Sequence, residues 1–439
     1  MNSVLCVFVA MAAGAAGGSP RIGPPDHAGG ADKAAPVVKQ PEERPPANQA
    51  EAAAALKAVG VTTSSGRIYV PPGRTALSDK EMACLRFFPD ADTFDCMFPT
   101  KVTDAGFAQL RSLTHLKEIR LNYAPIDGSG LAVLRGMKGL ESLDLVHTNV
   151  GDAALENVAG LPKLGWLFLD GCPVGDAGLA HLRGLKNLRS LGLRDTRVTD
   201  AGVASIAGLT QLTALYLGPK VTDAGMRHLG RLVSLEHLFV PSGIGDAGLA
   251  ELRGLSKLED IGRLKGVTDK GLAYLAGMRR LTQLDLSHSN VTDAGLTVVE
   301  GLKDLELLHL SGPGITDAGL ARIGGLARLT NLSLQSTAVT DAGVKRILTL
   351  RGLTYLGLTN TRITDGALAD VARLTNLQDL SLAGTRVTGP GLAKLTPLTK
   401  LSQLWVAHTA VRVQDSRYLE GHEGLEVDYG RTGEPEPQE

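Results

Sequence analysis

The chain has 439 residues, with 45 Lys plus Arg against 46 Asp plus Glu and a formal charge of −1. That balance excludes an overall electrostatic pull towards nucleic acid or anionic lipid, so neither is an expected partner. Aromatic residues make up 4% of the chain, which points to thin aliphatic layers rather than one large aromatic core.

In chain order, the first element is MNSVLCVFVAMAAGAAGG, an apolar run from Val4 to Ala16 in which Ala13, Gly14 and Ala15 resemble a cleavage site. Residues 1–17 therefore read as a secretory signal peptide, and the expected location is periplasmic, cell-surface or extracellular. A disordered Ala/Gly leader is the alternative, because no Lys or Arg precedes Arg21. Leu5 is too large for the residue that precedes a lipidated cysteine, so Cys6 is not expected to carry lipid. No later stretch is long and apolar enough for a membrane span. Residues 18–47 are rich in Pro, Gly and Ala and read as a flexible tether. NQAEAAAALKAVG then predicts a short helix closed by Gly60. Cys84 and Cys96 could pair in an exported protein or serve as small core residues, and the sequence leaves both open. With Cys6 and Cys172 they make no zinc spacing, and the histidines show no HExxH, so neither metal nor cofactor is expected.

Beyond the helix a phrase repeats. The first leucine of each LxxLxL falls at 116, 140, 164, 188, 212, 235, 258, 281, 305, 329, 353, 377 and 401. The period is 24 residues, shortened to 23 for three successive units from Leu212. Such a period means a solenoid, in which each unit buries its apolar row only against its neighbours. The consensus LxxLxLxxTxVTDAGLxxLxxLxx resembles the leucine-rich repeat family, in the form found in F-box proteins and many bacterial repeat proteins. That resemblance implies an α/β fold: a right-handed solenoid with a parallel sheet on the concave face and short helices on the convex face. It also implies non-enzymatic binding of a protein partner, since in this family the concave face most often binds partners. A substrate-receptor role in protein turnover is the alternative that the F-box likeness suggests, although the tether is too poor in apolar residues to be an F-box-like module.

The residues support the same coil independently. In LRSLGL, Leu191 and Leu193 alternate with Ser190 and Gly192, the period of a strand with one buried face. Val203, Ile206 and Leu209 recur every three residues, as in a short helix or 3₁₀ turn. LSDKEMACLRFF places Leu77, Asp79, Met82, Leu85 and Phe88 on the same slots, a disguised repeat. RIYV before it and DTFDCMF after it are expected capping strands, and LEVDY (425–429) a last strand. The segments are thus 48–115 for the helix and degenerate repeats, 116–411 for the array, 412–430 for a C-terminal cap and 431–439 for a disordered tail. An aspartate column, Asp104, Asp152, Asp176, Asp200, Asp223, Asp246, Asp269, Asp293, Asp317, Asp341 and Asp365, reads as helix N-caps rather than a calcium ladder; Gly128 and Gly389 interrupt it. Arg263 stands in a leucine slot, so the strand is expected to slip until Leu264 points inwards.

Outward strand residues form two central columns on a face about 60 Å long. Large rings gather there in the third to sixth coils, and Trp166, Phe168, Tyr216, His237 and Phe239 are the candidate partner-binding residues. Mutual shielding is the alternative account of these rings. Farther along, Asp285, His309 and Ser333 share one outward slot and imitate a hydrolase triad, but no oxyanion hole or nucleophile elbow accompanies them. A monomeric, non-enzymatic binding solenoid is the expectation.

Overall fold

Residues 188–211 show how one coil is made. Period two along the strand Ser190–Gly192 sends Leu191 and Leu193 to the inner side, where both are fully buried with Leu188. The chain then turns through Asp195, at φ +53°, and Thr196 donates its hydroxyl to the Leu193 carbonyl at 2.7 Å. That bond satisfies a polar group which the coil encloses. The helix Asp200–Ile206 follows, with Val203 and Ile206 buried, and Leu209 closes the coil. Each buried leucine contributes roughly 1.5–3 kcal/mol relative to leaving it in water. None could be buried without the coils on either side.

The computed structural model describes residues 45–73, 77–422 and 424–430. The expected leader, most of the tether, Cys6 and the tail lie outside them. Residues Pro46–Glu439 cluster as one unit. Its first helix, Gln49–Ala58, is capped by Asn48, whose side chain accepts from the Glu51 N–H. The strands form a nine-stranded sheet and a seven-stranded sheet in strict chain order. All neighbours pair in parallel except the first two. Those two, Thr62–Ser64 and Arg67–Tyr69, make a hairpin through Ser65 and Gly66, both at positive φ. The expected capping strands are present at Arg67–Tyr69 and Thr93–Cys96, and the last strand at Glu426–Asp428; the hairpin partner was not anticipated. Among the described residues, no helix is long and apolar enough to cross a membrane.

The two sheets part at the coil beginning with Leu258, whose strand is reduced to isolated bridges at Asp260 and Arg263. Here Ile261 and Leu264 are both fully buried, as the slip requires, and Gly262 takes φ +73° to absorb the extra residue. Arg263 is left on the outside, paired with Asp285 at 2.7 Å.

The aspartate column calls for a correction. The N-cap is the residue before the aspartate, and where that residue is threonine its side chain caps: Thr340 Oγ1 accepts from the Ala342 N–H at 3.3 Å, whereas Gly175 and Gly245 hold the same position without a side-chain cap. The aspartate instead joins coils. Asp317 accepts the Thr340 N–H at 2.8 Å and the Thr340 hydroxyl at 2.6 Å, both from the following coil. The same pair of bonds links Asp176 to Thr199, Asp246 to Thr268, Asp293 to Thr316 and Asp365 to Thr388. The glycine two residues after most of these aspartates has its own reason. A Cβ on Gly343 would run into the Asp317 carboxylate, so glycine leaves room there for the previous coil's acid; where Ala367 fills the slot, the Asp341 carboxylate lies against Gly366 instead. TDAG is therefore a cap, a link, a spacer and a vacancy for the neighbouring link.

Cys84, Cys96 and Cys172 are buried and unpaired, which selects the core-residue alternative for the first two. Burial pushes the Cys96 thiol up to about 11.

Replacing Asp317 with alanine strands the Thr340 amide and is expected to cost about 1–3 kcal/mol of stability. Urea unfolding checks this: the midpoint falls while the slope is kept, whereas an unchanged midpoint would remove the link from the stability of the array.

Candidate functional site

Parallel register carries the outward residues into continuous columns. Trp166 lies beside Ser190 and then Ala214, and Phe168 beside Gly192 and then Tyr216. Next come His237 beside Ala214 and Phe239 beside Tyr216. All five candidate residues thus share one stretch of the open sheet face, and each is half-buried. Tyr216 and Phe239 stack, with centroids 5.0 Å apart and planes 18° from parallel. The small residues between the rings, Ser190, Gly192 and Ala214, are buried. Part of the ring surface therefore shields its neighbours, and part remains open to solvent.

Charged groups surround the rings, and two of them, Asp170 and Arg194, stand in a third column that the two-column sequence reading did not reach. The alternation that sends Trp166 and Phe168 outwards continues to Asp170, and that of Ser190 and Gly192 continues to Arg194, so the signal was present one step beyond each strand. Arg194 places its guanidinium carbon 4.5 Å from the centroids of both Tyr216 and Phe239. Asp170 accepts the Arg194 backbone N–H at 2.9 Å, and Asp260 accepts that of Gly262 at 2.9 Å. Burial raises the pKa of both carboxyl groups. Asp144, beside Phe168, is pushed up to about 6 by burial, against the downward pull of Asn122, the Val146 N–H and Arg120; nearby Asp170 raises it further. On the loop edge Tyr123 and His147, both at positive φ, stack at 4.8 Å. Sequence reasoning missed this pair because neither lies in a strand.

Asp285, His309 and Ser333 do stand side by side on successive strands. Their contacts do not make a relay. His309 Nδ1 is 3.9 Å from Asp285, while Nε2 lies 3.1 Å from Asn331 Oδ1, so Asn331 rather than Ser333 takes that nitrogen. Burial raises the Asp285 pKa, yet the nearby His309 imidazole and hydrogen bonds from Ser287 and Arg263 outweigh it and hold the carboxyl well below its usual range. The column is a chain of ion pairs and hydrogen bonds, not an activated serine. No group of three or more His, Cys, Asp or Glu side chains that could hold a metal occurs among the described residues.

Comparison with known proteins agrees with this architecture. A family model described as a leucine-rich repeat matches residues 184–207 and 278–299. No curated protein matches the sequence. Among solved structures, an internalin of Listeria monocytogenes aligns with a TM-score of 0.54 at 20% identity, over 74% of this chain and 83% of that one. A leucine-rich repeat protein of Leptospira interrogans aligns with a TM-score of 0.57 at 18% identity, over 81% and 93% of the two chains. At these identities the likeness shows the fold.

Two outcomes follow for this face. Unfolded, an aspartate loses its proton near about 3.9, whereas folded Asp144 does so at about 6. The folded state holds that proton more tightly, so the stability it contributes is present below about pH 4 and lost as pH rises through 6. Asp144→Asn is expected to be more stable than the native chain by about 3 kcal/mol at pH 7.5, with the gain fading towards pH 4. Thermal unfolding at both pH values checks this, and an equal gain at each would exclude the ionised, buried carboxyl as its source. A fluorophosphonate is expected to leave Ser333 unmodified, as read by mass spectrometry of the intact protein.

Proposed function

We propose that this leucine-rich repeat solenoid is a non-enzymatic scaffold that recognises a protein partner on the open face of its sheet, through Trp166, Phe168, Tyr216, His237 and Phe239. The observation that carries this reading is the gathering of those rings, in a chain whose inner layers are almost wholly aliphatic. Leu191, Leu215, Leu238 and their equivalents fill the core behind the face, so packing of the coils does not require large rings in front of it. Half-buried tryptophan, tyrosine and arginine on a rigid surface are the side chains that anchor protein interfaces, because they bring much contact area at little cost in ordering. The solenoid holds them on hydrogen-bonded strands, which keeps that ordering cost low.

The apolar leader Val4–Ala16 supports export, and the proposal places the encounter outside the cytoplasm, with the chain acting as a monomer and needing no cofactor. Affinity capture with the array as bait supplies the partner, and calorimetry with the purified pair then measures each variant. Trp166→Ala and Phe239→Ala are each expected to weaken binding at least tenfold, with melting temperatures within a few degrees of the native chain. Unchanged affinity in both variants would sink the reading.

A further inference from the structure

We infer that the partner contributes a basic side chain, arginine or lysine, to this face, and that its seat lies over Gly192, between the rings of Phe168 and Tyr216. The inference rests on the reading of the ring cluster as the partner site, and adds the chemistry of the group received there.

Phe168, Gly192 and Tyr216 occupy one column on three successive strands. Neighbouring strands are about 4.8 Å apart, so the backbones bearing the two rings are roughly 10 Å apart, with only hydrogen atoms on the residue between them. The space is not featureless. A Cβ on Gly192 would collide with Asp170 Oδ2 and would lie 3.1 Å from Phe168 Cδ1, so the Asp170 carboxylate overhangs the glycine beside the phenylalanine edge. Asp170 Oδ1 is taken by the Arg194 N–H at 2.9 Å. Oδ2 fills the space above the buried glycine, so a group arriving between the rings meets this carboxylate. A carboxylate oxygen flanked by aromatic side chains on a partly desolvated surface is suited to a guanidinium or an ammonium, which the acid attracts through charge while the rings cover its apolar stem.

The chain supplies its own example of the preference, since Arg194 already lies over Tyr216 and Phe239. The balance of charge agrees. Asp144, Asp170 and Asp260 make no ion pair among the described residues, and Arg194 is the one guanidinium among them; Arg120 is committed to Asp95 and Glu118. Three acids against Arg194, with His237 beside Asp260 and Arg120 acting on Asp144 from its own ion pairs, leave an excess of negative charge around the rings. An acidic residue brought here would meet that excess at short range, whereas a basic one would offset it.

The test uses the full-length protein with acetylated hexa-arginine and hexaglutamate peptides, followed by calorimetry at low and high salt. Hexa-arginine is expected to bind, to weaken with salt, and to lose about tenfold or more with Asp170→Asn, whose Oδ1 can still accept the Arg194 N–H. Gly192→Ala, which displaces the carboxylate without removing its charge, is expected to act in the same direction, and melting curves confirm that both variants fold. Hexaglutamate binding as tightly as hexa-arginine, no hexa-arginine binding, or an affinity indifferent to both variants would overturn the inference. The two readings separate on the alanine variants. If Trp166→Ala and Phe239→Ala weaken the captured partner but Asp170→Asn does not, the ring face stands and the basic seat falls. If only Asp170→Asn and Gly192→Ala weaken hexa-arginine, the seat stands and the wider ring face falls.

Discussion

A carboxylate that bonds to the following coil is the interaction on which the rest of this structure depends. Leucine burial supplies most of the driving force, but it is not directional, and aliphatic layers could slide past one another at little cost. The bonds from Asp317 to the Thr340 amide and hydroxyl admit one register. Where a threonine also caps its own helix, as Thr340 does with Oγ1 accepting from Ala342, the start of that helix is set by the coil before it. Glycine two places later keeps the neighbouring acid close. Strand register follows, and register aligns the outward columns.

The character of the open face is set in those columns. A sheet whose strands are locked in step repeats any outward position along the solenoid axis, so a few substitutions build a patch without altering the core. The rings at Trp166, Phe168, Tyr216 and Phe239 are such a patch. Their flanks carry buried acids, of which Asp144 is the most displaced in its titration. Such groups are costly to hold ionised near apolar surface. Beyond Asp285 and His309 the same column carries small residues instead, Ser333, Gly357 and Ser381.

Much of this was legible in the residues, and the misses share a cause. Leu191 and Leu193 disclosed the strand by alternation, and Arg263 disclosed the slip because a charge cannot occupy a leucine slot. The role of Asp200 was misread because its nearest free amides in sequence belong to its own helix, while its real donor, Thr222, lies in the next coil. The candidate rings were found by period two, yet Asp170 and Arg194 were overlooked where the strand pattern was taken to stop. For Asp285, His309 and Ser333 the column was right, but a shared column does not settle side-chain direction: Asn331, in the adjacent column, takes the imidazole nitrogen.

Two interruptions of the aspartate column are compensated. Where Gly128 replaces the acid, Ala154 fills the usual glycine slot of the following coil, and a Cβ on Gly128 would strike it. At Gly389 the exchange goes further, for Asp415 of the following coil occupies the vacated space and accepts the Arg412 N–H of its own coil. These two joints are mating pairs of a different gauge from the others. A standard repeat spliced in after either would bring an ordinary TDAG segment against the wrong counterpart, so duplication or loss of units is easier among the regular coils between them, on either side of the slipped coil at Leu258, than across the two joints. The array is thereby divided into an interchangeable middle and two keyed termini, which fixes where such a chain can lengthen.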